Sequence, residues 1–312
     1  MNNKFCHIIL ICLILLFSIF ALNPQFATAT SVTDTRELSI KPKEIYGAEN
    51  APIIVRIGNG GAGPTGVLRV LAEDYISTYK TPATIAWYQD ISPNTLRNLK
   101  RGTIDIALVY EKKQGDEAIK EGWATNYTPI FNDHFIIIGP KTNPANLLES
   151  DKAEQAFAKI SQAGIDQAKQ MFLSRDDNSG TNVKEQGIWQ MSNLEPWAQN
   201  TNWYVKSHVF PKDALIQADK ESLYTITDWA TWVSNSKALK NSKIFIRGGK
   251  ILLNPFFALL GKEPNRETLK FLDYLKSPRG QKIIADFGRK LDTGLPLFTP
   301  AAQEEFIPFQ YL

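Results

Sequence analysis

The sequence predicts an α/β fold, with helices packed on both faces of its sheets, and two observations carry that expectation. After residue 50, short apolar runs alternate with amphipathic segments in the order strand, helix, strand, helix, strand, which favours mainly parallel pairing. Two turns containing glycine, at 58–66 and 174–181, each fall between an apolar run and a helical pattern.

The elements follow in order. Residues 53–57 read as a strand, and 64–79 as a helix with Val67, Leu68, Leu71, Ala72 and Tyr75 on one side. A second strand is expected at 84–87. Ser92-Pro93 then opens a helix with a capping oxygen and a proline at the first helical position. Gly102 ends that helix, and 104–110 form a third strand. Residues 135–138 read as a strand stopped by Gly139-Pro140. Asp151 with Glu154 is a capping-box signature for a helix bearing Ala153, Ala156, Phe157 and Ile160. A short extended piece at 171–174 leads through the second turn into a helix reaching Trp189. Strands are expected at 223–226 and 243–246, and a helix at 266–275. Pro278-Arg279-Gly280 breaks or restarts that helix.

The first residues read as an export signal. A polar start carrying Lys4 precedes an apolar stretch at 8–22, and Ala27 and Ala29 supply the small residues of a cleavage site. About 15 apolar residues fall short of the roughly 20 needed to cross a bilayer. Residues 1–29 are therefore expected to be removed and the mature chain delivered to the periplasm, with 30–50 as an N-terminal arm. Both cysteines, Cys6 and Cys12, fall inside the signal, so the mature chain has no disulfide scaffold, thiolate metal site or cysteine nucleophile. Removing 29 of 312 residues leaves 283, enough for one large domain or two lobes, and takes the net charge from +3 to +2 with the loss of Lys4. So nearly balanced a charge argues against a nucleic-acid partner.

The first turn, Gly58-Asn59-Gly60-Gly61-Ala62-Gly63-Pro64-Thr65-Gly66, can converge amides at a helix start and favour negative charge there. Gly58, Gly60 and Gly63 match G-x-G-x-x-G, but no phosphate-gripping G-K-[ST] follows, and dinucleotides are scarce outside the cytoplasm. An anion or polar solute is the favoured ligand here, with a plain tight turn as the alternative. The candidate ligands are Asn59, Gly60, Gly61 and Thr65. In the second turn, Arg175 offers a planar fork of donors, Ser179 and Thr181 offer hydroxyls, and the amides around Gly180 lie at a helix start. A merely capped helix with solvated charges is the bland alternative. His134 and His208 are isolated, without metal-ligand spacing, so no metal is expected. Ser179 lacks a G-x-S-x-G elbow, and no carboxylate pair stands out by spacing, so no catalytic residue is proposed. The tryptophans at 189, 197, 203, 229 and 232 read as packing residues.

Several segments together resemble the tungstate-binding proteins of bacterial uptake transporters, within the two-lobed periplasmic solute-binding proteins. Ser174-Arg175-Asp176-Asp177-Asn178-Ser179-Gly180-Thr181 is similar to that family's S-R-G-D-x-S-G-T, and residues 101–109 resemble its R-G-x-A-D-x-x-L. Residues 135–141 look like its V-G-P-x strand end, Tyr224-Thr225-Ile226-Thr227-Asp228 like Y-T-L-T-D, and Asn254-Pro255-Phe256 like N-P-Y. The order is kept across residues 52–290. Two positions depart. Where the family has T-T-T-S this chain has Gly58, Asn59, Gly60 and Gly61, and Asp176 stands where glycine is usual.

The resemblance implies a type II two-lobed fold in which each lobe is a central mixed sheet flanked by helices. Lobe 1 would take 51–132 and 250–312, and lobe 2 would take 133–249. It further implies a monomer with no cofactor and no enzymatic activity, capturing an oxyanion and delivering it to the membrane permease of an ABC transporter. Tungstate is the first expectation, and molybdate, phosphate or another small solute the alternative. An enzyme and a non-binding sensor on the same frame are the rival classes.

Overall fold

The computed structural model describes residues 41–80, 82–110, 112–289 and 294–303. The chain divides into two units, Met1–Ser39 and Ile40–Leu312. The first unit, with the expected signal and the start of the arm, lies outside the described residues, and the second holds every described element.

Its elements run β1 (Glu44–Gly47), β2 (Ile53–Asn59), α1 (Val67–Ile76), β3 (Thr84–Gln89), α2 (Ser92–Lys100), β4 (Ile106–Val109) and α3 (Lys112–Lys120). Then come β5 (Ala124–Pro140), α4 (Ala153–Asp166), β6 (Phe172–Ser174), α5 (Gly180–Met191), β7 (Tyr204–Lys206) and α6 (Pro211–Glu221). The chain continues through β8 (Thr225–Asp228), α7 (Trp229–Asn235), β9 (Ser242–Arg247), β10 (Leu253–Gly261), α8 (Arg266–Lys276), α9 (Pro278–Asp286) and β11 (Thr299–Pro300).

The expected apolar stripe of α1 is the face the helix buries: Val67, Leu68, Leu71, Ala72 and Tyr75. The helix starts later than residue 64 because Gly63–Thr65 forms a separate 3₁₀ turn, closed by Gly66 at φ +91°. Two caps differ from expectation. Ile91, not Ser92, is the N-cap of α2, and Ser92 already lies in the first turn. Lys152 is the N-cap of α4, where Gln155 Oε1 accepts from the Lys152 amide at 2.9 Å. Asp151 sits one residue too early to cap; it accepts from the Leu148 amide and pairs with Lys159. Ser277 caps α9 through the Gly280 amide, so Pro278 does restart the helix.

Parallel pairing holds in the large sheet for β2, which lies between β3 and β4 and runs parallel to both, and in the separate β6–β7 pair. β1 joins β3, β10 joins β4, and β5 joins β10, all antiparallel, so the sheet is mixed. The reason is topological: β4 acquires its second neighbour from a segment about 150 residues later, and that segment returns in the opposite direction. Asp105, just before β4, accepts from the Arg56 amide at 2.7 Å and from its guanidinium at 2.7 and 3.0 Å, tying β4 to β2 at one end.

β5 organises the molecule. Up to His134 it pairs with β10 and β11, and from Phe135 onward it pairs with β8 and β9. Sequence patterning locates only its last, apolar part, because Thr125, Asn126, Thr128, Pro129, Asn132 and Asp133 mask the earlier residues. Two main cores flank this change of partner. Ile57, Trp87, Phe131, Phe256 and Phe298 belong to one, and Phe135, Phe157, Phe172, Trp189 and Tyr224 to the other. Each such buried large side chain contributes roughly 1.5–3 kcal/mol. α7 crosses the division: it follows β8, yet Trp229, Ala230 and Val233 enter the first core.

Candidate functional site

The second turn is built from beneath by a buried carboxylate. Glu185, on α5 and 1% exposed, accepts from Ser174 Oγ and Tyr204 Oη at 2.7 Å each, from Trp189 Nε1 at 3.0 Å and from Asn182 Nδ2 at 3.4 Å. Ser174 Oγ in turn accepts from the Asp176 amide at 3.1 Å, which fixes the chain as it leaves β6. Burial, opposed by these donors, pushes the Glu185 pKa up to about 7. Above this frame Arg175 is 5% exposed. Its Nε donates to Val209 O at 2.9 Å and its Nη2 to Asp177 Oδ2 at 2.5 Å, while Nη1 meets no acceptor among the described residues. Burial pulls the Arg175 pKa down, opposed by the carboxylates of Asp177 and Asp228.

Asp177 also accepts from the Ser179 amide at 3.0 Å, so one carboxylate aims both Arg175 and the start of α5. Ser179 is the N-cap, its Oγ accepting from Asn182 N at 3.4 Å. The amides of Gly180 and Thr181 precede the first intrahelical bond and face outward at the positive end of the helix. Asp176 has φ +43°, which explains why a glycine suits this position. Its carboxylate lies 3.5 Å from Lys206 Nζ.

In the first turn, the predicted residues divide. Gly60 and Gly61 reach the site. Asn59 does not: it is fully buried, its Nδ2 donating to Leu108 O at 3.0 Å and its Oδ1 accepting from Gly63 N at 2.9 Å. The side chain expected to meet a ligand instead pins the turn to β4. Thr65 is similarly occupied, donating to Ala62 O at 2.6 Å and accepting from Val67 N at 3.3 Å. It borders a separate cavity of about 640 Å³ that Gly60 and Gly61 also touch.

Gly60 and Gly61 meet Arg175, Ser179, Gly180 and Thr181 across a small cavity of about 20 Å³. Two turns more than 100 residues apart in the chain are thus brought together. Two further polar residues, Ser92 and Tyr110, line it, and Ile91, Phe210 and Pro211 complete the wall. One water needs about 10–15 Å³ on this measure, so the enclosure suits a solute of only a few heavy atoms. Sequence reading misses both Ser92 and Tyr110. Patterning assigns Ser92 to a cap, but because Ile91 takes that place the Ser92 hydroxyl finds no partner among the described residues. Tyr110 follows β4 directly, and its position at the C-terminal end of a central strand is the available signal.

Among the described residues, no carboxylate lines this cavity. Asp228 lies nearby but is occupied as the N-cap of α7, accepting from Thr231 N at 2.7 Å and Thr231 Oγ1 at 2.8 Å. Burial, reinforced by Asp228, holds the Asp133 carboxyl well above its usual range. His134 is buried and His208 exposed, and no group able to hold a metal is found among the described residues. The arrangement can surround a compact anion with hydrogen-bond donors and one guanidinium.

A mixed α/β architecture whose ligand-sized enclosure lies between two glycine turns is that of the type II periplasmic binding proteins. The chain belongs to the PBP superfamily, whose domain matches residues 46–279. A tungstate-binding protein, TupA, from Peptoclostridium acidaminophilum is 30% identical over 213 residues, covering 65% of this chain and 70% of its own. A Haloferax volcanii protein named for anion binding in an ABC transporter is 27% identical over 232 residues; the match spans 65% of its length, under two thirds. Among solved structures, the tungstate-binding TupA of Desulfovibrio alaskensis G20 has a TM-score of 0.65 and 26% identity, covering 80% of this chain and 99% of that one. A periplasmic protein described in terms of metal binding reaches a TM-score of 0.75 at 33% identity, covering 83% of this chain and 99% of its own.

Proposed function

We propose that this chain is the extracytoplasmic solute-binding component of an ABC uptake system, and that it captures a tetrahedral oxyanion, tungstate or molybdate ahead of phosphate. The observation that carries this reading is the donor-rich wall of the small cavity. Buried Arg175, the hydroxyl-bearing Ser179 and Thr181, and Gly60, Gly61 and Gly180 line it, with no described carboxylate among them. An anion that carries no proton at neutral pH suits such a wall. Phosphate, which keeps a proton there, would lack an obligatory acceptor for it. The named relatives and the tungstate-binding neighbour support the same reading.

In this reading residues 51–132 and 250–312 form one lobe and 133–249 the other. The change of β5 partners at His134 and Phe135 supports placing a crossing there. The anion stabilises the closed arrangement because each lobe supplies only part of its shell. The protein releases its solute unchanged to a permease and makes or breaks no bond. Residues 1–29 are removed on export.

Calorimetric titration of the anion-stripped mature protein with tungstate, molybdate, sulfate and phosphate tests the proposal. Binding of tungstate or molybdate, with phosphate weaker, is the expected result. No heat with any of the four would overturn it.

A further inference from the structure

The first turn poses a chemical problem. Its two polar side chains, Asn59 and Thr65, are both committed to backbone groups, so the turn itself would offer a ligand little beyond amides, with Ser92 beside it. We infer that Tyr110 supplies a side-chain donor that the turn lacks: its hydroxyl is a direct hydrogen-bond donor to the captured oxyanion, and its ring sets how large that anion can be. The inference rests on the oxyanion reading of the same cavity.

Three observations place the residue. Tyr110 lines the cavity, and its hydroxyl has no hydrogen-bond partner among the described residues. The ring is held from behind by Phe256, with centroids 3.9 Å apart, and Phe256 is fully buried in the first core. Both turns make room for it. A Cβ at Gly61 would overlap the Tyr110 hydroxyl, and one at Gly180 would come within 2.9 Å of the Tyr110 Cβ. One side chain therefore touches a turn from each half of the site, and glycine at both positions is the steric consequence.

The electrostatics agree. Burial, together with Asp228 and Asp133, lifts the phenol well above its usual range, so it keeps its proton and remains a donor to an anion. A phenol left unmatched in an enclosed site costs free energy, and a bound oxyanion oxygen removes that cost. Because Phe256 supports the ring, the hydroxyl cannot retreat to admit a larger solute without repacking the core.

The test is Tyr110→Phe, which keeps the ring and its packing and removes only the donor. Titrated with tungstate, molybdate and sulfate, the variant should bind each anion that the wild type binds about 10- to 100-fold more weakly. The melting temperature of the ligand-free variant should be no lower than that of the wild type, since the hydroxyl it loses has no partner there. Gly61→Ala supplies a second measurement: it should weaken binding strongly in the wild-type background but much less with Tyr110→Phe, since the overlapping oxygen is then gone. Wild-type affinity in folded Tyr110→Phe would overturn the role of Tyr110 while leaving the oxyanion reading in place. Silence of the wild type with every anion would overturn both.

Discussion

Replacing Glu185 by glutamine should remove a specific pH dependence of stability. The carboxyl is fully enclosed, and burial raises its pKa from 4.5 to about 7 despite its donors. The folded protein therefore holds this proton up to about pH 7, whereas the unfolded chain releases it near 4.5. Between those values the folded state binds more protons, so the contribution is greatest below pH 4.5 and falls as pH rises to about 7, then stays flat. The gap corresponds to about 3 kcal/mol. Glutamine preserves the shape and an acceptor for Trp189 or Tyr204 but does not titrate. The assay is urea unfolding of both proteins, ligand-free, at several pH values from about 4.5 to 8. Other buried titrating groups, Asp133 and His134 among them, cancel in the difference between the two curves. That difference should shift by about 3 kcal/mol in favour of the variant as pH rises. A constant difference across the range would refute the argument that burial outweighs the four donors.

The remaining predictions concern the turns and the N-terminus. Arg175→Ala should weaken oxyanion binding by roughly 30- to several thousand-fold, because it removes the buried charge opposite the ligand; titration calorimetry reads this directly. Asn59→Ala should cost about 2–4 kcal/mol of stability in urea unfolding, since it leaves Gly63 N and Leu108 O unmatched in the interior. Asp176→Gly should leave affinity within about twofold, because the carboxylate faces Lys206 and not the cavity, and should relieve a left-handed backbone strain of about 1 kcal/mol. N-terminal sequencing of protein recovered from cells should find a mature chain beginning near Thr30, washed free of membranes; a full-length product needing detergent would contradict export with cleavage.

The sequence determined more than the element list. The stripe of α1 and the short β6 run are local matters, set by periodicity, and the structure bears them out; the Ser179 cap, found only in the structure, is equally local. Arg175, Ser179, Gly180 and Thr181 are legible for the same reason: four of the site's residues are consecutive or nearly so, and helix-start chemistry is readable over that distance. The polar first half of β5 is not legible, because its residues show no clean alternation and its pairing is with β10, a segment more than 100 residues later.

What only the tertiary structure decided was which polar groups are left over. Asn59 looks available in sequence and is consumed by β4, 49 residues away; Ser92 looks consumed as a cap and is left available. Tyr110 reads as the end of a strand, and becomes part of the site only because Gly61 and Gly180 approach it from opposite sides. A side chain's hydrogen-bonding capacity is finite, and its free share depends on every partner the fold brings near. Local patterning can state what each residue offers. The packing of distant segments decides what remains for a ligand.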